Sequence, residues 1–414
     1  MAKNRVNGPD VSGGSGADRN RGWFKWLDPR RVGWIRLLLV FLPVALIGHL
    51  LHAPAGLQFG ASLLGLLPLA VIMGEATEHL AHRAGPGVGG LLNATFGNAA
   101  ELIIALALLL AGEDEVVQAT LTGSILGNIL LVLGASLLAG GVRHATQQFN
   151  KTAAGIGATL MVIAAIGLLI PAIYHSLPEV LSLRDEQAAG LEHELSLAVS
   201  MALITSYLLS LVFSLRTHKD LFNPRQECPD DHEHKGPVWS IGRSVGVLTI
   251  ATIGVGILSE ILAGSIDETG RAWGLSKIFL GVIILPIFGN AAEHSTAIIV
   301  ALKNKMDLAV GIALGSALQV ALFVAPVLVF VSYVRPAPMD LVFSTMEVVA
   351  VILAILVARM VAEDGESNWL EGAMLLMVYA ILGVVFYVLP GPVHESTSSR
   401  ATVTSPPAAT APAH

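Results

Sequence analysis

Long apolar stretches alternate with short polar joints along most of the chain. A run of about 20 apolar residues suffices to cross the hydrocarbon core of a bilayer. Eleven such runs lie near residues 35–51, 57–82, 91–111, 117–140, 152–174, 195–215, 241–264, 277–302, 306–333, 340–360 and 370–390. The runs at 152–174 and 195–215 carry no charged residue, whereas others hold acids near their middles. Residues 1–34 and 391–414 lack the apolar content to fold alone and read as disordered tails. The basic stretch from Lys25 to Arg36 precedes the first run without a small-residue cleavage site, so that run reads as an uncleaved span.

Charge gives the runs a direction. With the amino terminus in the cytoplasm, only Arg184, Arg271, Lys277, Arg335 and Arg400 of the 24 basic residues fall on the outer side. Composition agrees: 54% of the 414 residues are hydrophobic and only 13% charged, more apolar surface than a soluble domain hides. A net charge of -7 without a concentrated basic face excludes a nucleic-acid partner. The single cysteine, Cys228, excludes an internal disulfide and a Cys-rich metal site.

The hexapeptide FGNAAE occupies residues 96–101 and returns at 288–293. The same offset pairs Gly123 and Ser124 with Gly315 and Ser316, so the repeat extends beyond six letters. The fold class predicted is an all-α membrane protein of eleven transmembrane helices. An extra N-terminal span (35–51) precedes two repeats of five helices, 57–215 and 241–390, joined by a cytoplasmic linker at 216–240. Five crossings is an odd number, so the second repeat enters from the opposite face. Inverted-topology repeats are a recurring architecture of secondary transporters, with the substrate site at the repeat interface.

An ionised acid at the centre of a membrane helix costs about 2.5–3.5 kcal/mol on insertion scales, so Glu101 and Glu293 read as functional. Asn98 and Asn290 lie one turn before them, and Gly97 and Gly289, with Pro286 upstream, suit a broken helix whose freed carbonyls turn toward an ion. Carboxylates, amide oxygens and carbonyls form the all-oxygen set that Ca²⁺ prefers. Ser124 with Asn128, and Ser316 with Gln319, present a hydroxyl and an amide on one helix face, either as ligands or as interhelical hydrogen bonds. Glu75, Glu78, His79 and His82 form one polar stripe, and Glu260 is the counterpart of Glu78. Glu78 and Glu260 are candidates for proton coupling; Glu75, His79 and His82 read as a helix end reaching water. Glu347 has no evident mate, and the acidic stretch at 227–234 reads as a solvated charge run.

These features resemble the cation/proton exchanger family of the calcium/cation antiporter superfamily. The resemblance rests on GNAAELIIAL, GNAAEHSTAIIVAL, GSILGN, GSALQVALFVAP and DGESNWLEG, and covers the chain from the second run to the last. It implies export of cytosolic Ca²⁺ against returning H⁺, with Glu101 and Glu293 binding either ion in turn. It further implies that Asn98, Asn290, Ser316 and Gln319 line the site and that Glu78 and Glu260 are accessory acids. The segment 227–234 matches the family's acidic helix in place, but His232 and His234 interrupt its acids. Ca²⁺ is thus cargo, no cofactor is expected, and the partners are Ca²⁺, H⁺ and the lipid bilayer, with a homo-oligomer allowed. The Ala- and Gly-rich usage favours a bacterial inner membrane, and a vacuolar membrane is compatible with the family.

Three rivals stand beside this reading. A sodium/calcium exchanger would change only the driving ion. A gated cation channel would also use acidic groups, though without needing discontinuous helices. A membrane-embedded metalloenzyme lacks a complete set of metal ligands and base, and no nucleotide-binding P-loop is present.

Overall fold

The computed structural model describes residues 34–84, 89, 91–92, 95–182, 185–222 and 239–389. The tails and the acidic stretch at 227–234 lie outside the described residues. A 3-10 turn at Trp34–Val40 leads into α1 (Phe41–Leu50). It is followed by α2 (Ala55–Ala84), α3 (Ala99–Leu110), α4 (Asp114–Arg143), α5 (Lys151–His175) and α6 (Asp185–Val212). Then come α7 (Ile241–Trp273), α8 (Lys277–Gly289), α9 (Ala291–Leu302), α10 (Met306–Ser332), α11 (Thr345–Val361) and α12 (Trp369–Val388). Two-residue strands, Gln147–Gln148 and Glu366–Ser367, pair antiparallel at the ends of α4 and α11.

Among the described residues seven helices are long and apolar enough to cross a membrane, and α8 with α9, bent by 57° at Asn290, have that length and hydropathy as a pair. The chain is therefore a multi-pass integral membrane protein. The predicted runs near 35–51, 91–111 and 340–360 are carried by the shorter α1, α3 and α11. Sequence alone overstates the helix at 91–111 because the apolar run continues through a turn at Gly97 and Asn98.

Helix ends follow local chemistry. The Asn150 side chain accepts from the backbone N–H of Thr152 and Ala153 and so starts α5. Gly274, at φ 67°, closes α7 in the left-handed region that glycine tolerates. Ser344 and Glu347 form a capping box on α11, and Asn368 and Glu371 form one on α12. The sequence reading missed the role of Glu347, although Ser344-x-x-Glu347 is the spacing of such a box.

Packing brings the two halves together. The long helices α2 and α7 lie against each other, α1 covers α2, and α12 runs along the second half of α4. Between them α4 crosses α8 very closely. A Cβ placed on Gly123 would stand 2.2 Å from the Val282 carbonyl oxygen, and one on Gly281 would stand 2.5 Å from Ala119 Cβ. Both α4 and α10 contain a π-helical turn, at Gly127–Val132 and Val320–Val324, which begin within a residue of the 192-residue offset. Such turns widen a helix locally and occur often at functional sites.

Ion pairs tie the helix ends on one face. Arg335 grips Asp114 with Nη1 at 2.5 Å and Nη2 at 3.0 Å, which holds the guanidinium above its ordinary range, and also donates to the Leu109 carbonyl. Asp340 meets His193 Nδ1 at 2.5 Å; burial pushes its carboxyl up and the histidine partly offsets this. Lys277 bridges Glu113 and Asp267 at 2.7 and 2.5 Å, linking the α3–α4 turn to α7. Such partly exposed pairs are worth about 1 kcal/mol or less each, so they fix helix ends more than they stabilise the fold.

Candidate functional site

Each copy of Gly-Asn-Ala-Ala-Glu begins a helix. Asn98 and Asn290 are the N-cap residues of α3 and α9, and Glu101 and Glu293 sit at the third helical position of each. A carboxylate in the first turn lies at the positive end of the helix dipole and beside backbone N–H groups that have no partner within the helix. The duplicated sequence therefore builds the same local device twice: a break in the span, then an acid.

The two devices meet. Glu101, Glu293, Gly97 and Gly289 line one small cavity with Gly74, and its volume of about 10 Å³ is room for roughly one water. A Cβ on Gly289 would come within 3.9 Å of Glu101 Cγ, which shows how near the second break stands to the first acid. Glu101 is 5% exposed, and its Oε2, like Glu293 Oε2, is buried without a hydrogen-bond partner. Two buried carboxylates facing one space cannot both stay charged and uncompensated, so a proton or a cation must accompany them.

The amides differ. Asn98 Oδ1 accepts from Ser316 Oγ at 2.8 Å, and Asn98 Nδ2 donates to Gln319 Oε1 at 2.8 Å. Ser316 Oγ in turn accepts from Asn128 Nδ2 at 2.9 Å. Asn290 is fully buried, yet neither its oxygen nor its nitrogen has a partner, and Asn128 Oδ1 is also left over. Ser124 is buried in α4, one residue from the close crossing at Gly123.

Orphaned oxygens on Glu101, Glu293, Asn290 and Asn128 are of the hard type that Ca²⁺ takes, and of these residues the two glutamates line the small cavity itself. Among the described residues no three His, Cys, Asp or Glu side chains converge into a metal site.

The accessory acids stand apart from the central pair. Glu78 and Glu260 are both exposed, each four residues after a glycine, Gly74 or Gly256, and Gly74 lines the central cavity. Glu75 pairs with Arg36, and His79 stacks on Trp239 with ring centroids 4.5 Å apart. Glu347 is buried in the capping box, with Oε2 accepting from Ser344 Oγ at 2.7 Å. The sequence reading passed over His294, whose Nε2 is buried without a partner directly after Glu293; its only signal was a histidine within a span. A cavity of about 570 Å³ is an apolar crevice between α5, α6 and α10 that reaches the central cluster at Gln319.

The family described as sodium/calcium exchanger protein matches residues 55–216 and 243–388. The Ca(2+)/H(+) antiporter of Aphanothece halophytica is 44% identical over 371 residues, covering 85% of this chain and 96% of that protein. The Ca(2+)/H(+) antiporter ChaA of Bacillus subtilis (strain 168) is 44% identical over 353 residues, covering 85% and 98%. Among solved structures, native YfkE superposes with a TM-score of 0.72 at 39% identity, over 86% of this chain and all of that one. The H+/Ca2+ exchanger CAX, at 13% identity and a TM-score of 0.60 over 86% of this chain and 91% of that one, shares the fold.

Proposed function

The chain belongs to the sodium/calcium exchanger protein family, and we infer that it is a secondary transporter, not an enzyme, that exchanges Ca²⁺ for H⁺. One observation carries the reading: two glutamates from duplicated segments, each with a buried and unpartnered carboxylate oxygen, line a single cavity. Ca²⁺ bound between Glu101 and Glu293 compensates both charges, and so do protons. The bare, doubly charged pair is the state that burial penalises most. If compensated forms cross between facing states far more readily than the bare form, the two fluxes are coupled without ATP. Asn290 and Asn128 add amide oxygens to the ion, and Gly97 and Gly289 mark the breaks that let backbone approach.

The architecture proposed for this cycle is two inverted repeats of five helices, 57–215 and 241–390, after the extra span 35–51, eleven crossings in all. The matched breaks before α3 and α9 and the matched π-helical turns in α4 and α10 support it. The amino terminus and the 216–240 linker lie on the cytoplasmic side in this scheme, and the membrane is a bacterial inner membrane. Discontinuous helices around a midplane site favour a carrier over a channel.

Reconstituted uptake, with the pH gradient and sodium varied separately, tests the function. Uptake is expected to follow the pH gradient and to be unchanged when sodium is replaced by potassium or choline. Sodium-dependent uptake would assign the chain to sodium coupling instead, and voltage-driven flux without proton movement would make it a channel. Glu78 and Glu260 are proposed to pass protons between water and the site. Glu78→Gln is expected to move the midpoint of the pH–rate profile while transport persists; an unmoved profile removes Glu78 from the proton route.

A further inference from the structure

Resting on the reading of Glu101 and Glu293 as the ion site, we propose that Gln319 and Gly127 make that site one-sided, with the Asn290 amide meeting the ion and the Asn98 amide withheld from it. The two positions correspond: the offset that aligns Asn98 with Asn290 and Ser124 with Ser316 also aligns Gly127 with Gln319. Where a perfect repeat would give both asparagines the same surroundings, the chain has a long amide on one side and no side chain on the other.

The consequences are visible atom by atom. Asn98 offers one oxygen and two N–H donors. Its oxygen is taken by Ser316 Oγ, and its nitrogen by Gln319 Oε1, with the Ser316 carbonyl 3.4 Å away. Ser316 is itself held by Asn128, whose aligned position in the second repeat is Val320, an apolar residue that can offer no such bond. Opposite, a Cβ on Gly127 would lie 3.9 Å from Asn290 Nδ2, so position 127 faces the Asn290 amide but presents nothing to bind it. Asn290 is 0% exposed with both polar atoms unpartnered, which a buried amide tolerates only where something else completes its bonding. A cation between the carboxylates would complete the oxygen. The fixed Asn98 cluster then serves as the rigid wall that positions α3 and Glu101.

Equilibrium binding of ⁴⁵Ca²⁺ to purified full-length protein separates these roles. Asn290→Ala is expected to weaken binding at least about tenfold, the scale of one interaction with a charged group. Asn98→Ala should change the affinity by less than about threefold while slowing transport. Gly127→Gln, which offers Asn290 a competing amide, should weaken binding about as much as Asn290→Ala. Gly127→Ala, whose added carbon meets only ordinary contacts at 3.9 Å, should leave it unchanged. Equal losses in Asn98→Ala and Asn290→Ala, or undiminished binding in folded Gly127→Gln, would overturn the assignment. Should Gly127→Gln not fold, the comparison of the two asparagines decides alone. Glu293→Gln serves as the control for the underlying reading: wild-type binding in that variant removes the site itself, whereas lost binding there with equal asparagine effects removes only the one-sidedness.

Discussion

Calcium uptake driven by a pH gradient is expected to fall at least about a hundredfold, about 2.7 kcal/mol, in either Glu101→Gln or Glu293→Gln. The substitution keeps shape and hydrogen-bonding capacity and removes only the charge that compensates Ca²⁺. In a cavity of about 10 Å³ no other carboxylate stands ready, and among the described residues no larger cluster of ligating side chains exists to replace it. Removing one partner of a buried charge pair typically costs about 3–5 kcal/mol, which exceeds the loss named here. The same change leaves one fewer site for a proton, so the return flux falls with the forward one. Vesicle uptake of ⁴⁵Ca²⁺ under an imposed pH gradient reads this directly, and wild-type uptake in either variant would end the proposal.

The second large effect is structural and reaches the site through packing. In Gly123→Val the new Cβ would meet the Val282 carbonyl at 2.2 Å and Pro286 Cγ at 2.6 Å. Neither can swing aside, because one is backbone and the other a ring, so α4 and α8 must separate. Overpacking of this kind costs about 1–3 kcal/mol, occasionally more. The shift also propagates: α8 ends at the bend that sets Asn290 and starts α9, and Ser124 follows Gly123 directly. A lower melting temperature together with lost uptake is therefore expected, measured against Gly311→Ala, whose added carbon meets nothing within 4 Å. A Gly123→Val protein that melts and transports like wild type would show that the close crossing is dispensable.

Much of this was legible in the sequence because the strongest signals were physical and local. Apolar runs fixed the long helices α2, α4, α5 and α10 to within a few residues, since a bilayer demands length and hydropathy together. By contrast α7 continues to Trp273, well past the end of its apolar run at 264 and through the polar stretch Asp267 to Arg271. The repeated Gly-Asn-Ala-Ala-Glu pointed to paired breaks with an acid behind each, and the cavity at Glu101 and Glu293 lies there. What stayed hidden depends on contacts between distant segments. Spacing alone made Asn98 and Asn290 equivalent; only the approach of α10 to the first break shows that Ser316 and Gln319 bond Asn98, and nothing matches them at Asn290. The exposure of Glu260 in the middle of α7 was equally illegible, because it depends on which face α2 covers. Glu347 is the opposite case, because its capping box is written in the four consecutive residues Ser344 to Glu347.

Proton release on calcium binding tests the central claim most directly. Adding Ca²⁺ to purified protein in weak buffer is expected to acidify the solution, because protons held at Glu101 and Glu293 leave as the metal enters, and the double variant Glu101→Gln/Glu293→Gln should neither bind Ca²⁺ nor release protons. Calcium binding without acidification in the wild type, or the same proton release from the double variant, would contradict the account.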